Sequence, residues 1–165
     1  MSLCAIILAF SKNKKQRELC KEQILKAEES ELTTYDPEHK TLPILLAAEL
    51  GNTEACEALL SRGVDINSWH PWTIQTALIE ASTFGHLNTV KFLLERKADI
   101  HKKDDRGGMT ALHWAAGKGH EKIIKLLLES GANKDQRNFN GSLPIDFAIA
   151  TKQYKVIEIL NQEAK

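Results

Sequence analysis

Apolar and polar positions alternate along this chain in a repeating two-part pattern. A short alanine-rich run such as Ala111 to Lys118 precedes a glycine break at Gly119, and an aliphatic stripe follows through Ile123, Ile124, Leu126, Leu127 and Leu128. Both parts have helical spacing, so each unit predicts two short helices. The small side chains of the first let another helix approach closely, and the second presents a broad apolar face. The break recurs at Gly51, Gly85 and Gly119, 34 positions apart each time, and Lys152 holds the next place after 33. A period of this size predicts a stacked solenoid in which each unit buries its face on its neighbour.

Helix ends are marked locally. Thr76 and Thr110 have hydroxyls suited to capping the first helix of their units. Pro43 and Pro144 suit the first helical position, where a missing N–H costs nothing. Leu42 and Leu143 fill the threonine slot there, so Thr41 and Ser142 are the expected caps. Gly63 and Gly131 suit a left-handed turn after the second helix. Lys97 stands at the matching place of the second unit, at an expected cost of about 1 kcal/mol.

The repeated phrase runs Leu42-Pro43-Ile44-Leu45-Leu46-Ala47-Ala48, Thr76-Ala77-Leu78-Ile79-Glu80-Ala81-Ser82, Thr110-Ala111-Leu112-His113-Trp114-Ala115-Ala116 and Leu143-Pro144-Ile145-Asp146-Phe147-Ala148-Ile149. With Gly85-His86, Gly119-His120 and closing stretches such as Gly63-Val64-Asp65-Ile66-Asn67, it resembles the ankyrin repeat over residues 40–163. The resemblance implies an all-α ankyrin-repeat solenoid. Each unit would be L-shaped, two antiparallel helices and a projecting β-hairpin-like finger, stacked into a curved array. Its concave face would be made by fingers and first helices. Four repeats are expected, at about 40–72, 73–106, 107–139 and 140–165, after a helical cap and first finger over 1–39. Within that cap, Leu3 to about Asn13 and Arg17 to about Glu29 read as helices forming a degenerate repeat over the open end of the stack. Lys12, Lys14, Lys15 and Arg17 leave a membrane- or partner-binding amphipathic helix as the other reading.

Composition narrows the function. Lysine and arginine total 22, as do aspartate and glutamate. That balance argues against a nucleic-acid binder, which needs a cationic surplus or patch. The apolar Leu3 to Phe10 is far too short to span a bilayer. Three irregularly spaced cysteines, Cys4, Cys20 and Cys56, do not form a disulfide framework and point to reduced thiols and an intracellular, cytoplasmic or nuclear protein. No histidine pair has the spacing of two ligands on one helix face, and no cysteine pair has zinc spacing. The Asp104 to Gly108 run lacks the ligands of a calcium loop and reads as a polar finger tip. The resemblance gives His113, His86 and His120 scaffold roles. No catalytic residue, metal or cofactor is expected.

Function is then expected on the surface, on loops held by a rigid scaffold. Aromatic and arginine side chains are the usual anchors of such surfaces. Trp69 and Trp72 lie in the second finger, which carries an extra residue; anchoring a partner and packing back on neighbouring fingers are both open readings. By analogy with the family, the positions before each inter-helix glycine face the groove, which brings forward Phe84 and Lys118. Trp114 and Glu80 replace the usual leucine of the first helix. Arg106 and Met109 complete the candidate set on the third finger. Asn67 resembles the asparagines of ankyrin loops that an intracellular asparaginyl hydroxylase modifies, with a structural loop role as the alternative. The expected protein is a monomeric adaptor or inhibitor that binds another protein, the class that includes ankyrin inhibitors of cyclin-dependent kinases. The alternatives are a scaffold or targeting subunit, a pathogen effector imitating host ankyrins and, more remotely, an enzyme or small-molecule binder.

Overall fold

The computed structural model describes residues 2–69 and 75–162, which form eleven helices. The four repeated units give the pairs α4 (Pro43–Glu49) and α5 (Thr53–Ser61), α6 (Ala77–Thr83) and α7 (Leu87–Glu95), α8 (Ala111–Lys118) and α9 (Glu121–Glu129), and α10 (Pro144–Ala150) and α11 (Tyr154–Asn161). First helices stack in the order α4, α6, α8, α10, and second helices in the order α5, α7, α9, α11. Ala47, Ala81, Ala115 and Ala148 are fully buried where the first helices meet. Leu59, Leu93 and Leu127 fill the core at matching places of the second helices.

The period is fixed by contacts between units. His86 Nε2 lies 2.7 Å from the Glu49 carbonyl, and His120 Nε2 lies 3.0 Å from the Thr83 carbonyl. Each imidazole rests on the glycine of the preceding unit. A Cβ at Gly51 would come within 2.5 Å of the His86 ring, and one at Gly85 within 2.7 Å of the His120 ring. Both glycines also have positive φ, so side chain and backbone conformation forbid other residues together.

Thr76 accepts the Ile79 N–H, as its place predicts. At Thr110 the cap is reciprocal: His113 Nδ1 receives the Thr110 N–H and lies 2.9 Å from its hydroxyl. His113 Nε2 lies 3.3 Å from the Ser142 carbonyl of the next unit. Burial pushes the His113 pKa down, so the ring is neutral in this role. Thr41 and Ser142, expected as caps, do not serve as such. Leu42 and Leu143 themselves take the N-cap backbone positions. Before α10 the Asp146 carboxylate reaches back to accept the Leu143 N–H at 2.7 Å. Lys97 adopts the left-handed conformation its place requires, with φ 66°.

The N-terminal unit departs from expectation in its boundaries. Its helices are α1 (Leu3–Ala9) and α2 (Lys14–Lys26), and a third, α3 (Glu29–Thr33), follows where no helix was foreseen. Asn13 starts α2 by accepting the Gln16 N–H, four positions before the expected Arg17. A Glu28–Glu31 capping box nucleates α3. Helix α1 packs on α4 and α2 on α5. Leu3, Ile7, Cys20 and Ile24 are buried in the common core, so the pair covers the first apolar face of the stack. Arg62 fastens it, donating to the carbonyls of Ile24, Leu25 and Ala27 at 2.9–3.0 Å. Cys4, Cys20 and Cys56 are buried free thiols. Burial pushes their pKa values up to about 12, 11 and 12 respectively.

Candidate functional site

An open groove of about 690 Å³ lies along the first helices and finger loops. Its walls come from two fingers and three first helices. The first finger contributes Tyr35, His39, Lys40 and Thr41; α4 contributes Glu49; α6 and its end contribute Glu80, Thr83 and Phe84. Arg106 of the third finger and Trp114 of α8 close the far side, with Gln75 beside Glu80.

Phe84 follows the last turn of α6 and is 50 % exposed. It cannot turn into the core, because the buried Ala81 and Ser82 already occupy the inward face of this helix. Glu80, one turn earlier, is half-buried. Burial raises its pKa to about 7; the neighbouring Glu49 charge adds to the rise and Arg106 opposes it. With its amide nitrogen turned towards Glu80, Gln75 donates to both carboxylate oxygens. Burial also raises the Glu49 pKa, against the charge of His86.

Trp114 is half-buried and its indole N–H donates to Asp104 Oδ2 at 2.9 Å. Asp104 therefore corrects the expectation of a solvated third finger. It is fully buried, and its other oxygen accepts the Gly107 and Met109 N–H groups at 2.9 and 3.1 Å. The carboxylate closes the finger and fixes Trp114 at the edge of the groove. Asn138, 34 positions later, and Asp36, 68 positions or two periods earlier, do the same work. Asp36 accepts the Glu38 and His39 N–H groups, and Asn138 accepts those of Asn140 and Ser142. Burial works against the Asp36 charge, but hydrogen bonds from Ser2, His39 and Glu38 overcome it and hold the carboxyl far below its ordinary range. The repeat of an acidic or amide residue at 36, 104 and 138 was legible in the sequence, but these positions lie in finger tips, where a polar residue passes for a solvated one.

The structure brings Glu80, Phe84, Arg106 and Trp114 to one groove and leaves the other described candidates, Trp69, Met109, Lys118 and Asn67, outside its lining. Met109 is half-buried in the third finger, and Lys118 is exposed at the end of α8. Trp69, 51 % exposed, lines a separate groove with Leu32, Leu42, Ile44 and Val64. Trp69 and the Phe84–Trp114 pair thus line different grooves, and the one around Trp69 includes Leu32 and Thr33 of α3, a helix that the repeat pattern did not reveal. Trp72 lies outside the described residues. Asn67 accepts the Asp99 N–H at 2.9 Å and so ties the second finger to the third. Among the described residues there is no group of three or more His, Cys, Asp or Glu placed to hold a metal ion.

The sequence profile of ankyrin repeats (many copies) matches residues 44–94, 78–128 and 112–160. The chain belongs to the ankyrin-repeat family. Its all-α solenoid is the family's architecture, and ankyrin repeats are generally protein–protein interaction modules. Within this ankyrin array, the second and third repeats supply most of the groove, and the first finger closes its near side. No curated protein matches the chain. Among the described residues no helix is long and apolar enough to cross a membrane.

Proposed function

We propose that the protein is a non-enzymatic adaptor or inhibitor that holds a partner protein in the concave groove between its first and third fingers. The observation that carries this reading is Phe84, a half-exposed aromatic ring on a rigid helix end, with Trp114 fixed beside it by Asp104. An exposed ring on a preordered wall loses little side-chain freedom on binding, which favours it as an anchor. Glu80, Arg106 and the aromatic pair form the centre. Trp69 and Trp72 form a second contact on the neighbouring finger, with Met109 and Lys118 at the margin. The three reduced thiols support an intracellular site of action, cytoplasmic or nuclear.

Affinity capture from the native extract, comparing wild type with Phe84→Ala and Trp72→Ala, tests the reading. Each variant is expected to lose at least about 1 kcal/mol of partner affinity with unchanged thermal unfolding. Retained affinity with a lowered melting temperature would make the rings part of the core and remove the proposal. A captured enzyme whose activity falls on binding marks an inhibitor; co-assembly with unchanged activity marks a scaffold or targeting subunit.

A further inference from the structure

Two carboxylates converge on the groove from successive first helices, Glu49 from α4 and Glu80 from α6. Both are half-buried, and neither has a lysine, arginine or histidine nitrogen of a described residue within 4.0 Å. Arg106 and Lys40, the cations on the rim, are exposed. A partner that covers this groove strips water from both carboxylates. An apolar side chain would leave Glu80 with only the Gln75 amide and neither carboxylate with a cation among the described residues, and an acidic one would add a third like charge. A cation satisfies both.

We propose that the groove takes an arginine or lysine side chain of the partner between Glu49 and Glu80, with its aliphatic stem against Phe84 and Trp114. This rests on the reading of the groove as the partner site and names the chemistry it selects. Long basic side chains have both parts that such a site needs, an apolar stem and a charged head. Gln75 holds the Glu80 carboxylate in place from its own side. Arg106, at the centre of the same groove, then also competes with the incoming cation for these carboxylates.

Burial, the Glu49 charge on α4 and the opposing Arg106 charge on the third finger set the protonation of Glu80; Tyr35, His39 and Lys40 of the first finger line the same groove, and the His86 charge acts on Glu49. Glu80 carries a proton over part of the neutral range and must release it to pair with a cation. Affinity therefore rises from about pH 6 to about pH 8, and the bound state has the lower Glu80 pKa.

The test is an NMR titration of the full chain with N-acetyl-arginine amide, its neutral isostere N-acetyl-citrulline amide, and N-acetyl-glutamate amide. The arginine amide is expected to give saturable shifts at Glu80, Phe84 and the Trp114 indole N–H, about tenfold tighter than citrulline. Glu80→Gln and Glu49→Gln should each weaken it, while Arg106→Ala should strengthen it. Equal binding of citrulline, preference for the glutamate amide with loss in Arg106→Ala, or no saturable shift up to the solubility limit would each overturn the proposal. Loss of Glu80→Gln binding together with a collapsed spectrum would indicate a structural role and overturn it too. A captured partner that is lost from Phe84→Ala but kept by both glutamine variants would end the cation proposal while leaving the interaction reading standing.

Discussion

Asp104 shows how one side chain links the scaffold to the groove. It satisfies two backbone N–H groups of its own finger and the indole of Trp114 while fully buried. Asp104→Ala strands all three donors and is expected to cost about 2–4 kcal/mol in urea denaturation, with a change in Trp fluorescence as the indole loses its partner. Asp104→Asn should cost less, because Asn138 accepts two N–H groups in the fourth finger with an amide oxygen. Glu80 works in the opposite direction, since the fold raises its pKa to about 7 from the model-peptide 4.5. The folded state binds more protons between these values, so this group's penalty is absent below about pH 4 and grows as pH rises through 7. Glu80→Gln removes the penalty. It should stabilise the protein at pH 8 by up to about 3 kcal/mol, with the gain fading towards pH 4. A pH-independent difference in unfolding free energy between the two proteins would refute this assignment. Asp36 has its carboxyl held low, so its contribution is present at neutral pH and is lost in acid.

At the scale of the element, each helix pair is defined by what stops it. Gly63 and Gly131 end their helices with φ 85° and 94°, and open space surrounds both. Lys97 fills the same place after α7 with φ 66°. A Cβ in this region costs about 1 kcal/mol. Lys97→Gly is therefore expected to raise stability by about 0.5–1 kcal/mol, less than the full strain because glycine also loosens the unfolded chain. An unchanged or lower denaturation midpoint would mean that the lysine side chain makes a compensating contact. Gly51 and Gly85 differ in kind from Gly63: a histidine ring of the next unit stands where their Cβ would be. The sequence shows the same residue at all these sites, and only the packing separates a conformational requirement from a steric one.

For the whole molecule, a stack of units is stable through the interfaces between neighbours. The N-terminal pair α1–α2 is held by buried apolar residues and by Arg62, whose guanidinium binds three carbonyls at the end of α2. Arg62→Ala is expected to cost about 1–3 kcal/mol, concentrated in this unit. Hydrogen exchange should quicken over residues 14–27 while α8 to α11 keep their protection. Uniform acceleration along the chain would show that the unit does not open by itself.

The period, the helix pairs of the four repeats and the family were legible in the chain alone, because repeated glycines, alanines and aliphatic stripes obey local backbone rules and each copy corroborates the others. It also pointed to Glu80, Phe84 and Trp114 as departures from a regular phrase. What surrounds those departures emerged from the packing. Glu80 and Glu49 are 31 positions apart in the chain, and only the stacking of α4 against α6 makes them electrostatic neighbours. Packing also buries Asp104 within a charged finger and gives Trp69 a separate groove that α3 helps to line. Periodicity reports contacts between like positions of successive units. Burial and charge coupling in the groove depend on unlike positions meeting across them, which no single repeat contains.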